Sequence, residues 1–188
     1  MTSRMAILNS PVLRRGLLIV GLMLVVAPAA CVSLRKAPSD SVQALQPHEP
    51  FDAGKAQRLS TSPLTIQSGS QSHHFMVEVA DTEKQREIGL MHRDSLASDH
   101  GMIFDFHAEQ PVQFWMRNTF IPLDMLFIRS TGEIVFIAHN ATPHSDAPVG
   151  PAQPVQAVLE LAGGTAEQLG VKAGDTVQHA IFGKPAQP

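Results

Sequence analysis

The chain has 188 residues, of which 44% are hydrophobic and 16% charged, and its formal net charge is −3 at pH 7. This length is enough for one domain of about 100–150 residues with additional segments, and the near-neutral charge provides no basic surface for nucleic acid. The single cysteine excludes an intramolecular disulfide framework and a metal site made of cysteines alone.

Residues 1–31 have the pattern of an export signal. Basic residues up to Arg15 precede an uncharged apolar run over 16–26, and small residues then lead to Cys31. The run is shorter than the roughly 20 residues that span a bilayer, so the pattern favours a cleaved signal and export to a bacterial periplasm or envelope. A retained N-terminal anchor is the alternative.

Cys31 is a candidate lipidation site. The triplet Ala29-Ala30-Cys31 resembles the end of a bacterial lipoprotein signal, in which the cysteine is lipidated after cleavage just before it, although Pro28 stands where that pattern usually has an aliphatic residue. Ordinary cleavage after Ala29 or Ala30 is the alternative. In both cases we expect membrane contact only through the N-terminal signal or a lipid anchor.

Residues 32–63 are predicted to be a disordered tether, because they contain four prolines among Ser, Gln and Ala and show no sustained hydrophobic period. If Cys31 is lipidated, this segment is the spacer between the membrane and the domain. The folded domain is expected over 64–183, and 184–188 form a short tail.

The folded domain is predicted to consist mostly of strands. Alternating or continuous apolar residues bounded by turn signals indicate eight of them, at 64–67, 73–79, 102–106, 112–117, 125–129, 133–139, 155–161 and 176–182. The triplet Ser130-Thr131-Gly132 predicts a hairpin between the fifth and sixth. The prolines between 143 and 154 mark a long irregular loop.

Two short helices complete the prediction. Thr82 and Gln85 fit a capping box that opens a helix ending at Gly89, and Thr165 and Gln168 fit a second one. Many strands with no long helices between them predict a single β-sandwich or barrel rather than a βαβ fold. Residues 72–183 contain 14 acidic and six basic residues, a net charge of −8, which argues further against nucleic-acid binding.

Six phrases between Gly89 and Asp175 occur in an order that resembles the bacterial and archaeal DUF192 family of unknown function. They are GLMHR at 89–93, GMIF at 101–104, FWMRNT at 114–119, IPLDM at 121–125, VLEL at 158–161 and GVKAGD at 170–175. The resemblance covers about residues 72–183 and implies a compact β-sandwich or jelly-roll-like domain, often exported, with no established activity.

The strongest candidate ligand-binding group is Trp115, Arg117, Asn118 and Asp124. On a strand, Trp115 and Arg117 point to one face, and Asn118 and Asp124 flank the following turn. An indole, a guanidinium, an amide and a carboxylate could hold a small polar ligand by stacking and hydrogen bonds. The alternative is a structural Arg117–Asp124 pair with the indole in the core.

Glu160 stands in an otherwise apolar strand, where a carboxyl group could be a ligand contact or an acid or base with a raised pKa. The alternatives are a solvent-exposed position or an ion pair with an arginine at the strand edge. Asp124 and Glu160 would suit glycoside hydrolysis if they faced each other across a cleft.

Eight of the nine histidines fall in the folded part, but none forms a recognised metal-binding spacing. His139 and His144 bracket the start of the proline-rich loop and are the weak candidates for a metal site, with His92 as a third ligand.

Three hypotheses follow from these residues. The preferred one is a non-catalytic exported domain that binds a small polar ligand or an envelope partner. The alternatives are a hydrolase acting on envelope carbohydrate or peptide, and a metal-handling module. The sequence contains no supported nucleophile motif and no cofactor-binding motif.

Overall fold

The structure is a computed structural model that describes residues 47–186. The predicted export signal, the candidate lipidation site Cys31 and the first part of the predicted tether lie outside the described residues. Within 47–186, no helix is long and apolar enough to cross a membrane.

In the part of the chain that the structure describes, seven strands and two short helices form the domain. The strands are β1 (Thr61–Ser68), β2 (Gln71–Ala80), β3 (His100–Gln110), β4 (Leu123–Ile128), β5 (Ile134–Ala141), β6 (Val155–Ala162) and β7 (Thr176–Gln178). The helices are α1 (Glu83–Ile88) and α2 (Thr165–Leu169), and 3₁₀ turns occupy Ala53–Lys55 and Ala180–Phe182. The prediction of a single mostly β domain with two short helices is confirmed.

All seven strands belong to one curled sheet in the order β5-β4-β6-β3-β2-β1-β7. Only β2 and β3 pair in parallel, and their connection contains α1. The two ends of the sheet approach each other where Glu133, just before β5, forms a β-bridge with Thr176 of β7. This bridge curls the sheet into a half-barrel.

The sheet is packed on both faces. The first core lies on one face and draws residues from all seven strands and from α2, among them Ile66, Ile103 and Leu159. The second core covers the opposite face of β3, β4 and β6 with residues around Leu90 and from 112–121. Every residue of β4 is therefore buried, including Asp124, which explains the continuous apolar run over 125–128.

Two strand predictions are wrong. Residues 112–117 form no strand, because Phe114 makes only an isolated bridge to Val149 and the segment lies across the second core. The predicted strand 176–182 ends at Gln178, where the His179 side chain accepts the Ile181 N–H and the 3₁₀ turn begins. The predicted hairpin between β4 and β5 is confirmed, with Gly132 at φ +84°.

The helix ends follow local chemistry in one case and tertiary contacts in the other. The α1 capping box between Thr82 and Gln85 is confirmed, as is the helix end at Gly89. The second predicted capping box is wrong, because α2 is preceded by Gly164 and has no cap bond from its own segment. The Asp124 carboxylate accepts the N–H groups of Gly164 and Ala166 instead.

The chain already contacts the domain before the predicted start at 64. Strand β1 begins at Thr61, and the segment ahead of it is hydrogen-bonded to the second-core side of the domain. Gln57 donates to the carbonyls of Gln85 and Gly89, at 2.8 and 2.9 Å.

Candidate functional site

A cavity of about 210 Å³ lies between α1, the second core and the segment 112–119. Gly89 lets α1 end against this core, because a Cβ there would stand 3.1 Å from the Phe104 ring. The lining combines four aromatic side chains with five polar or charged ones, and its residues are Arg86, Glu87, Ile88, Gly89, Leu90, Met91, Phe104, Phe106, Gln113, Phe114, Trp115, Thr119 and Glu160.

Glu160 is the buried carboxyl group of this cavity. It lies on β6 between Met102 of β3 and Met125 of β4, and only 4% of its surface is exposed. Burial raises the pKa of Glu160 to about 8, against a smaller opposite effect of the Arg93 charge. No hydrogen bond or ion pair joins the Glu160 carboxyl to another residue within 47–186. Neither a solvent-exposed position nor an arginine pair, the two alternatives from the sequence, describes this side chain.

Trp115 lies at the solvent edge of the cavity, with 52% of its surface exposed. The Arg117 guanidinium stacks on the indole, with Cζ 4.9 Å from the ring centroid. Arg117 Nε also donates to Asp146 Oδ1 over 2.9 Å, and this hydrogen bond lowers the pKa of Asp146. Asp146 and Arg117 thus fix the position of the exposed indole from the side of the proline-rich loop.

A second depression of about 560 Å³ adjoins the cavity and shares Glu87, Ile88, Met91 and Trp115 with it. Its remaining wall is charged and includes Lys55, Lys84 and Arg117. Asn118 also lines it, but the Asn118 Oδ1 atom already accepts the Glu49 N–H over 2.8 Å. Asn118 therefore holds the segment before β1 against the domain.

Asp124 lies outside the cavity. Its side chain is fully buried on β4, and its carboxylate accepts three backbone N–H groups: those of Asn140, Gly164 and Ala166, at 2.7, 3.0 and 2.7 Å. It does not line the cavity. Arg117 is paired with Asp146 rather than Asp124, so the structural Arg117–Asp124 pair is not formed.

The two candidate metal-binding histidines have separate environments. His139 is exposed on β5, whereas the His144 ring packs edge-on against Phe120, with centroids 4.5 Å apart. His92 is buried and its Nδ1 atom accepts the Asp52 N–H. Within the described part of the chain, no three His, Cys, Asp or Glu side chains form a group that could hold a metal ion.

Sequence reasoning missed a buried ion pair beside the site. Arg93 donates through both terminal nitrogens to the Glu78 carboxylate, at 2.7 and 2.8 Å, and also to the Gln57 carbonyl. The phrase GLMHR marked Arg93, but its partner is 15 residues away on β2. These contacts use both terminal nitrogens of Arg93, and its buried Nε donates to no residue within 47–186.

His179 and Ser62 form a second unpredicted contact, between Nε2 and Oγ. Because His179 Nδ1 accepts the Ile181 N–H, the neutral imidazole carries its proton on Nε2 and donates it to Ser62. Burial lowers the pKa of His179, which keeps the ring neutral. The arrangement fixes the C-terminal turn and does not activate Ser62 as a nucleophile.

Comparisons with known proteins place the domain in a family without describing its function. The model of the DUF192 family, described as an uncharacterized ACR, matches residues 64–179. Among solved structures, a "putative transcription regulator" from Sinorhizobium meliloti 1021 is 45% identical with a TM-score of 0.65, and the match covers 66% of this chain and 98% of that one. A protein of unknown function from Novosphingobium aromaticivorans DSM 12444 is 38% identical with a TM-score of 0.62, over 69% and 99% of the two chains. No curated protein matches.

Proposed function

The chain belongs to the DUF192 family, and we propose that its domain binds a small polar ligand in the cavity at Glu160 without catalysing a reaction. The observation that carries this proposal is the buried Glu160 carboxyl group, which faces a cavity and has no partner among the described residues. A buried polar group without a hydrogen bond costs stability. A ligand that contacts Glu160 would offset this cost.

The walls of the cavity support binding in the same way. Small-molecule sites are concave and mainly apolar, with a few polar groups that fix the orientation of the ligand. Here aromatic rings form the walls, Glu160 is the deep polar group, and Trp115 stands at the edge where it can cover a bound molecule. Of the residues predicted for ligand binding, Trp115 and Glu160 support the proposal directly, and Arg117 supports it through its stacking on Trp115.

A hydrolase is supported less well. Hydrolysis of a glycosidic bond needs two carboxyl groups on opposite sides of the substrate, but Asp124 is occupied by three backbone amides away from the cavity. A nucleic-acid-binding role, suggested by the description of one structural neighbour, is disfavoured by the net charge of −8 over residues 72–183.

The proposal is tested with the only tryptophan of the chain, which lies at the cavity. The full-length protein is screened by thermal shift and by Trp115 fluorescence against metal ions, sugars, peptides, amines and carboxylic acids. We expect at least one small organic compound to raise the melting temperature and to change the fluorescence.

Two alanine variants then locate the binding site. Trp115→Ala should abolish the thermal shift given by that compound, whereas Phe136→Ala removes an exposed ring on β5 outside the cavity and should retain it. A screen without any hit, or a hit that Trp115→Ala leaves unchanged, would show that the cavity is not a binding site.

We also propose that the protein acts in the periplasm or at the cell envelope, on the basis of residues 1–31 alone. Its partner would then be a small molecule or an envelope component. Cell fractionation and detergent phase partitioning of the full chain test this proposal. A lipid anchor predicts that Cys31→Ser moves the protein from the detergent phase to the aqueous phase, and simple cleavage predicts that wild type and variant are both aqueous.

A further inference from the structure

Resting on the proposed binding function, we propose that the ligand carries a methylated ammonium group, which sits between the aromatic rings of the cavity and pairs with the Glu160 carboxylate. Three features of the cavity point to this ligand: its cluster of aromatic rings, the carboxyl group of Glu160 and the small number of buried hydrogen-bond acceptors in the lining.

The ring cluster has the composition of a cation-binding cage. Phe104 and Phe114 are packed edge to face, with centroids 5.0 Å apart and planes at 89°, and Phe106 meets Phe114 in a similar way at 6.3 Å. Trp115 completes the set at the solvent edge. Such perpendicular rings present their electron-rich faces in several directions, and these faces attract cations.

Two guanidinium groups already make cation–π contacts with rings of this cluster. The Arg86 Cζ atom lies 5.1 Å from the centroid of Phe106, and Arg117 occupies one side of Trp115. Both arginines are held by other bonds, since Arg86 donates to the carbonyls of Asp81 and Asp105 and Arg117 donates to Asp146. The cluster thus accommodates cations at its rim and leaves the interior beside Glu160 for the ligand.

The charge of Glu160 selects the sign of the ligand. An anion placed beside a buried carboxyl group would be repelled by its ionised form, whereas a cation would pair with it. The other charged side chains that line the cavity are Arg86 and Glu87 on α1, and the charge of Arg93, which does not line the cavity, also acts on Glu160. Arg86 and Glu87 have opposite charges, and the charge of Arg93 is paired with that of Glu78. The ionised Glu160 carboxylate therefore sets the sign of the charge inside the cavity.

The lining also favours a methylated ammonium over a primary one. A primary ammonium has three N–H donors that need acceptors when they are buried. Besides the Glu160 carboxylate, the buried lining has one further polar side chain, Thr119, whose hydroxyl donates to the Arg117 carbonyl, and apolar or aromatic ones such as Leu90 and Phe104. A methylated ammonium carries few or no N–H donors and is stabilised by ring faces. Its size also fits, because the 210 Å³ available exceeds the roughly 150 Å³ that suffices for benzene.

The test compares choline with 3,3-dimethylbutan-1-ol, which has the same shape without the charge. Both are titrated into the full-length protein at pH 8 with Trp115 fluorescence as the readout. We expect choline to bind at least tenfold more tightly than the alcohol. Glu160→Gln should reduce the choline affinity at least tenfold, whereas Glu167→Gln, the same change at an exposed position on α2, should leave it unchanged.

The pH dependence of binding provides a second readout. Choline should bind more tightly as the pH rises from 6 to 8, by up to about tenfold per unit, because it pairs with the ionised form of Glu160. This pH dependence should be absent in Glu160→Gln. A purely structural role of Glu160 would not make choline binding depend on pH, so this readout distinguishes the two roles.

The outcomes separate this inference from the proposed function. Equal affinity for choline and the alcohol, or choline binding that Glu160→Gln does not weaken, would overturn the ligand class. If choline does not bind but an uncharged or anionic compound of the screen binds in a Trp115-dependent manner, the ligand class is wrong and the binding function stands. If no compound binds, both are wrong.

Discussion

The Asp124 carboxylate joins three parts of the fold at one point. It lies on β4, and it accepts N–H groups from β5 and from the start of α2. The dipole of the first helical turn also favours a negative charge there. The sequence indicated that Asp124 was important, and the structure shows that its contacts are to the backbone.

We therefore expect Asp124→Ala to lower the free energy of unfolding by about 2–4 kcal/mol, because buried amides lose their acceptor. Asp124→Asn should cost less, since it retains one oxygen. Urea unfolding of the full-length protein measures both, with the exposed Asp94→Asn as the control. A loss below about 0.5 kcal/mol for the alanine variant, the usual range for surface positions, would contradict this role.

The Glu78–Arg93 pair gives a second prediction at this scale. Glu78→Gln leaves the buried Arg93 guanidinium without its counter-charge, which typically costs about 3–5 kcal/mol. The double variant Glu78→Gln/Arg93→Met should be more stable than Glu78→Gln alone, because it removes the unpaired charge. A double-mutant cycle by urea unfolding measures this coupling, and additive effects of the two substitutions would mean that the pair is not coupled.

The sequence predicted which residues are important better than it predicted which groups they contact. The capping box of Thr82 and Gln85 was placed correctly because its bonds depend on local geometry. The equally local capping box predicted for α2 was wrong, because the Asp124 carboxylate takes that place from another strand. The contacts of Asp124, Arg93 and Glu160 depend on which strands are adjacent. A sequence pattern does not contain that information.

At the scale of elements, residues 112–117 show that an alternating pattern indicates which side chains face a core, and not whether the segment pairs as a strand. Val112 and Met116 are buried and Trp115 is exposed, so the predicted faces are correct although no strand is formed. The alternation reflects an extended chain with one side on a core, and strand pairing is a separate requirement. The segment covers the second core instead, and this position brings Trp115 to the cavity.

Helix α1 is short and depends on its ends, since none of its six residues is buried. We expect Thr82→Ala to lower the local stability of α1 by about 1 kcal/mol, because the capping bond is lost. Hydrogen exchange at the amides of Arg86 and Gly89 should then become about fivefold faster. Thr131→Ala, at an exposed position in the β4–β5 turn, is the control and should not change these rates. Unchanged exchange in Thr82→Ala would show that contacts outside the cap, such as those of Gln57 and Arg86, hold the helix.

At the scale of the whole molecule, packing on both faces of the sheet explains how Glu160 comes to be buried. A single-layer sheet would leave its second face in water, but here residues around Leu90 and from 112–121 cover β3, β4 and β6. Alternation along β6 predicted that Glu160 faces away from Leu159 and Leu161. It could not predict that this face is covered as well.

The buried Glu160 makes the stability of the whole domain dependent on pH. Its pKa is near 4.5 in the unfolded chain and about 8 in the folded one, so between these values the folded chain holds one more proton. The free energy of unfolding should therefore fall as the pH rises from 5 to 8, with a slope of at most about 1.4 kcal/mol per pH unit from this residue, and level off above that range.

Urea unfolding of the full-length protein at several pH values between 5 and 9 measures this effect. Glu160→Gln removes the titrating group and should lack this part of the slope, so its stability relative to wild type should increase with pH. Glu167→Gln should follow wild type, because it makes the same change at an exposed position on α2. Parallel curves for wild type and Glu160→Gln would mean that Glu160 titrates alike in the folded and unfolded chains.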